Sequence, residues 1–77
     1  MKKAEITWYD AYTLDAWQPI NEAKEMMANK YTVTTIGWVM EENEKYISIC
    51  HSYTSVQVMG CLHIPKECII NVNYYGN

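Results

Sequence analysis

The chain of 77 residues contains no arginine and no phenylalanine, and it has only three glycines and two prolines. Without arginine it lacks the bidentate group by which proteins usually grip phosphate or guanine. Its permanently positive side chains are six lysines scattered along the sequence, and the formal net charge is −3. Because duplex binding requires a clustered cationic surface that displaces counterions, this composition argues against a protein that binds duplex nucleic acid.

A long hydrophobic run is also missing. No apolar stretch approaches the roughly 18 residues that a membrane-spanning helix needs, and residues 1–5 lead into no hydrophobic region of a signal peptide. We therefore expect a protein of the cytoplasm without a membrane partner. The short length and the hydrophobic content of 49% predict one small domain over residues 1–77.

The three cysteines, Cys50, Cys61 and Cys68, are odd in number and lack the Cys-x-x-Cys spacing of a zinc ribbon. We expect reduced thiols that behave as small, half-buried hydrophobic residues. A metal site would have to join Cys61 and His63, two residues apart on one strand face, with Cys50 of a neighbouring strand. Since no fourth ligand is evident, we predict neither a metal nor a cofactor.

Alternation of apolar and polar residues predicts five strands, over residues 5–12, 31–40, 46–52, 56–64 and 69–75. Gly37 indicates a bend, a bulge or a close backbone approach within the second strand. The predicted inward faces, strand by strand, are Ile6, Trp8 and Tyr12; Thr34, Ile36, Trp38 and Met40; Ile47 and Ile49; Val56, Val58, Gly60, Leu62 and Ile64; and Ile70, Val72 and Tyr74.

Three connections differ in character. In residues 13–30, Asn21 can cap a short helix that turns Ile20, Ala23 and Met27 inward, although a helix this short is marginal without docking and an ordered loop is equally compatible. Residues 41–45 predict a polar hairpin turn, and residues 65–67 predict a single 3₁₀ turn. This order is typical of a mostly β, five-stranded, SH3-like antiparallel barrel, with an open sheet crossed by one helix as the alternative.

Segments along nearly the whole chain resemble a group of short, uncharacterised phage and prophage proteins. The matching residues are Ile6-Thr7-Trp8-Tyr9-Asp10-Ala11, Trp17, Thr35-Ile36-Gly37-Trp38-Val39 and His63-Ile64-Pro65-Lys66-Glu67-Cys68-Ile69-Ile70. The resemblance implies a phage-encoded accessory protein in the bacterial cytoplasm and brings no catalytic residues with it. By analogy with small phage β-proteins that sequester nucleotide immune signals, it also implies counteraction of a host defence.

Residues capable of catalysis are few. His51, His63, Asp10, Asp15 and the three cysteines form no Ser/His/Asp arrangement, paired-carboxylate motif or glycine-rich phosphate loop. His51 shares the inward parity of the third strand and is expected at the edge of the core, whereas His63 is expected to be exposed. We therefore predict a protein that is not an enzyme.

Aromatic rings are abundant instead: the chain has three tryptophans and seven tyrosines. A small barrel hides about five large rings, so rings beyond a core that includes Trp8 and Trp38 must be exposed or buried between subunits. They can form an oligomer interface or a platform that stacks on a planar ligand, and the two are compatible. The predicted ligand-binding residues are Tyr9, Trp17, Tyr31, Tyr53, Lys66 and Tyr75.

Two functions are compatible with these observations. The first is a homo-oligomer that binds and sequesters a small nucleotide-like signal. The alternative is a protein–protein interaction module that inhibits a host protein through its aromatic surface or through the acidic residues 41, 42 and 44.

Overall fold

Seven strands, one helix and one 3₁₀ turn make up the described chain. The structure is a computed structural model and describes residues 1–11, 16–28 and 31–76. The elements are β1 (Lys2–Tyr9), α1 (Ile20–Ala28), β2 (Thr32–Glu42), β3 (Tyr46–Cys50), β4 (Ser52–Tyr53), β5 (Val58–Met59), β6 (Leu62–Pro65), the 3₁₀ turn (Lys66–Cys68) and β7 (Ile69–Tyr75). The mostly β character, the helical excursion after β1 and the 3₁₀ turn before the last strand are confirmed.

Five strands form one antiparallel sheet in the order β6-β3-β2-β1-β7, and β4 pairs with β5 in a separate hairpin. The large sheet is not closed into a barrel, because β6 and β7 are its two edges. β6 has only four residues and pairs with β3, while β7 pairs along nearly its whole length with β1. The structure therefore confirms a five-stranded antiparallel sheet, in an open form.

The core lies on one face of this sheet and is small. Its fully or almost fully buried residues are Ala4, Ile6, Ile47, Ile49 and Ile64, with Trp8, Val39, Leu62, Ile69 and Val72 packed against them. Cys50 is buried as well. The predicted inward placement of β1 and β3 is thus confirmed at Ile6, Trp8, Ile47 and Ile49; Tyr12 falls outside the described residues.

The predicted inward face of β2 is wrong. Gly37 lies opposite Ala4 of β1, and Val39 lies opposite Ile49 of β3, so the odd-numbered residues of β2 face the core there. Ile36 is accordingly 57% exposed, and Trp38 lies on the opposite face from the core. Gly37 lies on the inward face of β2, and Ile49 packs closely against it. The more apolar side chains of β2 therefore face outward.

Strand β7 changes parity at a bulge. Thr7 pairs with Asn71 and Trp8 pairs with Ile69, so Ile70 is an additional residue between them. The extra residue shifts the alternation of side chains by one, so Ile69 and Val72 face the same side although they are three residues apart. Ile69 and Val72 both pack on the core, whereas Ile70 is 47% exposed. The prediction of an inward Val72 is confirmed, and that of an inward Ile70 is wrong.

Residues 56–64 form two short strands instead of one long strand. Gly60 interrupts them with a φ of +68°, a left-handed conformation that favours glycine, and it lies against the His51 ring. Val56 and Val58 are exposed in the β4–β5 hairpin, while Leu62 packs on the core and Ile64 is buried. The expectation of a continuous inward face is therefore correct for β6 alone.

Helix α1 confirms the helical alternative for the excursion after β1. The Ala23 N–H donates to the Pro19 carbonyl at 3.0 Å, so the helix begins before Asn21, and Asn21 is not its capping residue. None of the nine helix residues is buried, and the predicted inward packing of Ile20 and Met27 is wrong. No helix in the described ranges has the length and apolar character needed to span a membrane.

A polar cluster ties the 3₁₀ turn to the ends of β2 and β7. Lys66 Nζ donates to Glu42 Oε2 at 2.8 Å, and the Tyr74 hydroxyl donates to Glu42 Oε1. Lys2 Nζ lies 5.2 Å from the centroid of the Tyr74 ring. The hydrogen bonds from Lys66 and then Tyr74 hold the pKa of Glu42 below its ordinary value of 4.5. Burial and the Glu42 contact raise the pKa of Tyr74 to about 12.

These two pKa shifts define the pH range over which the cluster stabilises the fold. A lowered carboxyl pKa means that the Glu42 contribution is complete above about pH 4.5 and is lost as the pH falls through the folded-state pKa. The raised phenol pKa acts in the opposite direction, because the Tyr74 contribution is complete below pH 10 and is lost as the pH rises through about 12.

We expect Glu42→Gln to lower the free energy of unfolding by about 1 kcal/mol at pH 7, because the variant loses an ion pair and a charge-assisted hydrogen bond. At a pH well below 4.5 the difference from the unaltered protein should vanish, since Glu42 is then protonated in both states. Urea unfolding at the two pH values measures this effect. Glu44→Gln in the adjacent turn is the control and should be neutral at both. An equal loss at both pH values would contradict an ionic origin.

Candidate functional site: the outer aromatic surface

The face of the sheet opposite the core carries a row of aromatic and cationic side chains. Lys3 of β1 pairs with Trp38 of β2 on one side and with Tyr75 of β7 on the other. Neighbouring strands lie about 4.8 Å apart, so the three side chains are adjacent on one face. The ring of Tyr53, from β4, meets the Trp38 ring edge-on, with centroids 5.4 Å apart. We call these four residues the outer aromatic surface.

The charge on this surface comes from Lys3. Its Nζ lies 5.3 Å from the centroid of the Tyr75 ring, within the range of a cation–π contact. The Tyr75 hydroxyl donates to Glu5 Oε2 at 3.2 Å. Partial desolvation and the nearby Glu5 charge raise the pKa of Tyr75, so this phenol remains a protonated donor. The Lys3 ammonium therefore lies beside the exposed Tyr75 ring.

A shallow depression of about 150 Å³ lies beside Tyr53. Its lining residues all come from the β4–β5 hairpin and are Ser52, Tyr53, Thr54, Gln57, Val58 and Met59. Thr54 Oγ1 accepts the N–H groups of Val56 and Gln57, which fixes the tip of the hairpin. Typical ligand pockets begin near 300 Å³, so this depression can take one ring of a ligand and leaves the remainder on the open surface.

The structure brings together only some of the predicted ligand-binding residues. Tyr53 and Tyr75 both belong to the outer aromatic surface, on either side of Trp38. Tyr9 and Tyr31 lie together at the opposite end of the β1–β2 pair, where the Asp10 N–H donates to the Tyr31 carbonyl at 2.9 Å.

The other two predicted ligand-binding residues lie elsewhere. Trp17 is fully exposed in the segment before α1. Lys66 is engaged with Glu42 in the polar cluster at the 3₁₀ turn. Within one chain, Trp17 and Lys66 therefore lie apart from the outer aromatic surface.

The sequence did not identify two members of this surface, the exposed Lys3 and the half-buried Trp38. Trp38 was expected inside because it alternates with Ile36 and Met40, the most apolar set in its strand. The signal that could have identified it was Gly37, because a glycine at a crowded sheet position marks the face where neighbouring side chains need room. Lys3 required the pairing register, which only the assembled sheet supplies.

The histidines make local polar contacts. His51 Nδ1 lies 2.8 Å from Ser52 Oγ, and His51 is exposed, so its predicted place at the edge of the core is wrong. His63 is exposed as expected; its Nδ1 lies 3.1 Å from Ser48 Oγ, and the Tyr46 ring packs beside the imidazole with centroids 4.2 Å apart.

Cysteine and acidic side chains do not assemble into a metal site where the chain is described. Within residues 1–11, 16–28 and 31–76, no three histidine, cysteine or acidic residues lie close enough together to hold a metal ion. Cys50 is buried, Cys68 is half-buried and Cys61 is exposed. The catalytic candidate Asp15 falls outside the described residues.

Comparisons with protein families, with curated proteins and with solved structures find no match for this chain. The features of the chain that bear on its function are the outer aromatic surface and the distribution of exposed apolar residues. The similarity to short phage proteins stays a prediction from the sequence.

Proposed function

We propose that this protein is a non-enzymatic binding protein whose outer aromatic surface stacks on a planar, anionic ligand of the nucleotide class. The observation that supports this proposal is the contact of Trp38 with Tyr53 on a sheet face that also carries the Lys3 ammonium. Stacking on aromatic side chains contributes about 1–3 kcal/mol per base. The ammonium would attract a phosphate at the edge of the stacked ring, and the depression in the hairpin would accept a second ring or a sugar.

The same surface favours a small ligand over a nucleic acid chain. Lys3 is accompanied on this face by Glu5, and the protein carries a net charge of −3. A phosphate chain would meet repulsion beyond the first one or two phosphates, whereas a nucleotide would need only the local cation. Together with the resemblance to phage proteins, this supports sequestration of a nucleotide signal of a bacterial host.

We also propose that the protein acts as a homo-oligomer. Its solvent-accessible surface is 5975 Å², whereas a folded monomer of 9.0 kDa is expected to expose about 4,900 Å². Its radius of gyration is 15.8 Å, against about 11.5 Å for a domain of this length. The excess of about 1,100 Å² exceeds the roughly 800 Å² that each partner buries in a standard interface.

An SH3-like arrangement of the sheet is part of the proposal. The order of the five strands and the 3₁₀ turn before β7 are compatible with it. The polar cluster supports it further, because Lys66, just after β6, reaches Glu42 at the end of β2, and Glu42 also accepts from Tyr74 of β7. A side chain next to one edge strand and a side chain of the other edge strand therefore meet at one carboxylate of β2.

Ligand binding can be tested by thermal-shift and tryptophan-fluorescence titration against a panel of mononucleotides and cyclic dinucleotides. We expect at least one nucleotide to raise the melting temperature, since a ligand that binds only the native state stabilises it. Trp38→Ala and Tyr53→Ala should weaken binding by about tenfold or more, because each removes a stacking surface. Lys3→Gln should weaken it less and should reduce its salt dependence.

Trp17→Ala is the control for these variants, because Trp17 is the most exposed ring and lies outside the outer aromatic surface. It should leave the nucleotide affinity unchanged. Absence of any shift across the panel would overturn the nucleotide proposal. Binding that depends on Trp17 and ignores Trp38 would overturn the assignment of the site.

A protein-interaction module is the second candidate function. The β4–β5 hairpin favours it, since Val56 is 87% exposed and Met59 is 66% exposed there. Exposed apolar side chains on a hairpin are suited to insertion into a groove of a partner protein. Of the acidic residues proposed for the same role, Glu42 is engaged by Lys66 and Tyr74, which leaves Glu41 and Glu44 available from that group.

A further inference from the structure

Cys50 and Cys61 face each other where β3 ends and β6 begins. The two strands are antiparallel, and Ile49 pairs with Leu62. Cys50 is the last residue of β3 and Cys61 directly precedes β6, so each lies one position beyond that pair, toward the β4–β5 hairpin. Residues at equal offsets from a pair lie opposite one another in an antiparallel ladder. The two cysteines therefore occupy the next facing positions.

Contacts on the hairpin side of the cysteines hold the same two segments together. A Cβ atom at Gly60 would lie 1.7 Å from His51 Cδ2, so the His51 ring rests against Gly60. The His51 N–H also donates to the Met59 carbonyl at 3.1 Å. Because the two segments meet both before and after the cysteines, their backbones are also close at Cys50 and Cys61.

The hydrogen-bond pattern of the ladder defines the spacing at this position. The Lys66 N–H donates to the Lys45 carbonyl at 2.8 Å, one position outside the other end of the β3–β6 ladder. Hydrogen-bonded pairs alternate with non-hydrogen-bonded pairs, which makes positions 50 and 61 a non-hydrogen-bonded pair. The Cα atoms of such a pair are about 4.5 Å apart, within the range of about 4.4–6.8 Å found for disulfides.

Both cysteine side chains belong to the outer face of the sheet. Ile49 and Leu62 pack on the core, and successive side chains of a strand point to opposite faces. Cys50 also pairs with Trp38 of the outer aromatic surface. Cys61 is exposed, whereas Cys50 is buried. An accessible thiol with a second thiol beside it is the arrangement of redox-sensitive cysteines, in which the second thiol completes the disulfide.

We propose that Cys50 and Cys61 form a reversible disulfide that fixes the β4–β5 hairpin to the large sheet. The Cys61 thiol loses its proton to solvent, and the thiolate attacks a low-molecular-weight disulfide such as oxidised glutathione, from which one glutathione thiolate leaves. The Cys50 thiolate, also deprotonated, then attacks the Cys61 sulfur of the mixed disulfide and displaces the second glutathione. The protein loses two electrons and two protons, and oxidised glutathione is reduced to two thiols.

The disulfide acts on the hairpin because it closes the segment from Cys50 to Cys61, which contains both β4 and β5. Tyr53 belongs to this segment, whereas its ring partner Trp38 belongs to the large sheet. Oxidation should therefore restrict opening of the hairpin and leave the rest of the sheet unchanged. The inference is independent of the nucleotide proposal, since the disulfide forms without a ligand and a failure of nucleotide binding would leave it standing.

Thiol counting and peptide mapping test the bond in the unaltered protein. After incubation with one equivalent of oxidised glutathione, the mass of the dilute protein should fall by two hydrogen atoms. After unfolding in urea, iodoacetamide should react with Cys68 alone, and a peptide map should join Cys50 to Cys61. Reduction with dithiothreitol should restore all three thiols. A lasting glutathione adduct on Cys61 with a free Cys50, a bond between two chains or a bond to Cys68 would overturn the assignment.

Variants and hydrogen exchange test the effect on the hairpin. Cys61→Ser changes an exposed residue and should abolish the crosslink, whereas Cys68→Ser is the matched control and should retain it. The N–H groups of His51 and Thr54 bond across the hairpin and should exchange at least about tenfold more slowly in the oxidised protein, because local opening is restricted. Amides of β1 should exchange equally in both states. Equal exchange of the hairpin amides before and after oxidation would overturn the proposed restriction.

Discussion

Ile6→Ala is expected to lower the free energy of unfolding by about 3 kcal/mol, which is about a quarter or more of the total stability expected for a chain of this length. Ile6 lies in the central part of β1, is fully buried and pairs with residues of both β2 and β7. Truncation of a buried isoleucine to alanine costs about 2–5 kcal/mol, because it removes apolar contacts and leaves a cavity. A chain of 77 residues has a total stability of only about 4–12 kcal/mol.

The effect is large because the core consists of few residues, so that each of them contributes a large part of the stability. Urea unfolding followed by fluorescence gives the change in free energy, and the melting temperature should fall by about 15 °C. Ile70→Ala is the control with the same chemical change, since Ile70 is the exposed bulge residue of β7. It should change the free energy by less than about 1 kcal/mol. Equal losses at the two positions would show that the core does not lie on the assigned face.

Gly37→Ala is the second change with a large expected effect. A Cβ atom at Gly37 would lie 2.8 Å from the Cys50 carbonyl oxygen and 3.0 Å from Ile49 Cδ1. The backbone oxygen cannot move aside without disturbing the pairing of β2 with β3. We expect a loss of about 2 kcal/mol in the free energy of unfolding, as is typical when an additional carbon is forced into a packed site.

The appropriate control is Gly76→Ala. An added Cβ at Gly76 meets nothing within 4 Å, although its φ of +74° makes it a glycine-favouring position. This substitution should lower the free energy of unfolding by less than about 1 kcal/mol. The loss reflects only the backbone conformation of Gly76. If Gly37→Ala retained full stability in urea unfolding, close strand approach would not explain why β2 turns its bulky side chains outward.

The outward orientation of Trp38 links these core predictions to the proposed function. With Gly37 facing inward against Ile49, the neighbouring Ile36 and Trp38 must lie on the other face. The same register that fills the core therefore creates the surface proposed to bind the ligand. A change that shifted β2 by one residue would exchange the two faces completely.

Much of the secondary structure could be predicted from local sequence. The alternation of Ile47 and Ile49, the polar turn that precedes them and the proline before the 3₁₀ turn act within a few residues, and the structure agrees with each. The helix at Ile20–Ala28 was one of two open alternatives, since its formation depends on packing that local sequence does not define.

The outer aromatic surface could be predicted only in part. Tyr53 and Tyr75 were identified because an excess of rings must be exposed or shared between subunits. That they lie beside Trp38 and Lys3 could not be predicted, because this depends on how four different strands are placed. Two bulges, at Ile70 and between Val39 and Glu41, also shift the register of their strands. Strict alternation of apolar and polar residues does not predict such shifts.

The sequence by itself determined that this chain is mostly β, that its core is aliphatic and that its cationic side chains are few and its aromatic rings many. Those properties follow from composition and from short-range periodicity. The tertiary structure alone decided which face of β2 is inside and which rings gather around Lys3. These outcomes depend on contacts between residues distant in sequence, and one extra residue in a strand reverses the direction of every side chain beyond it.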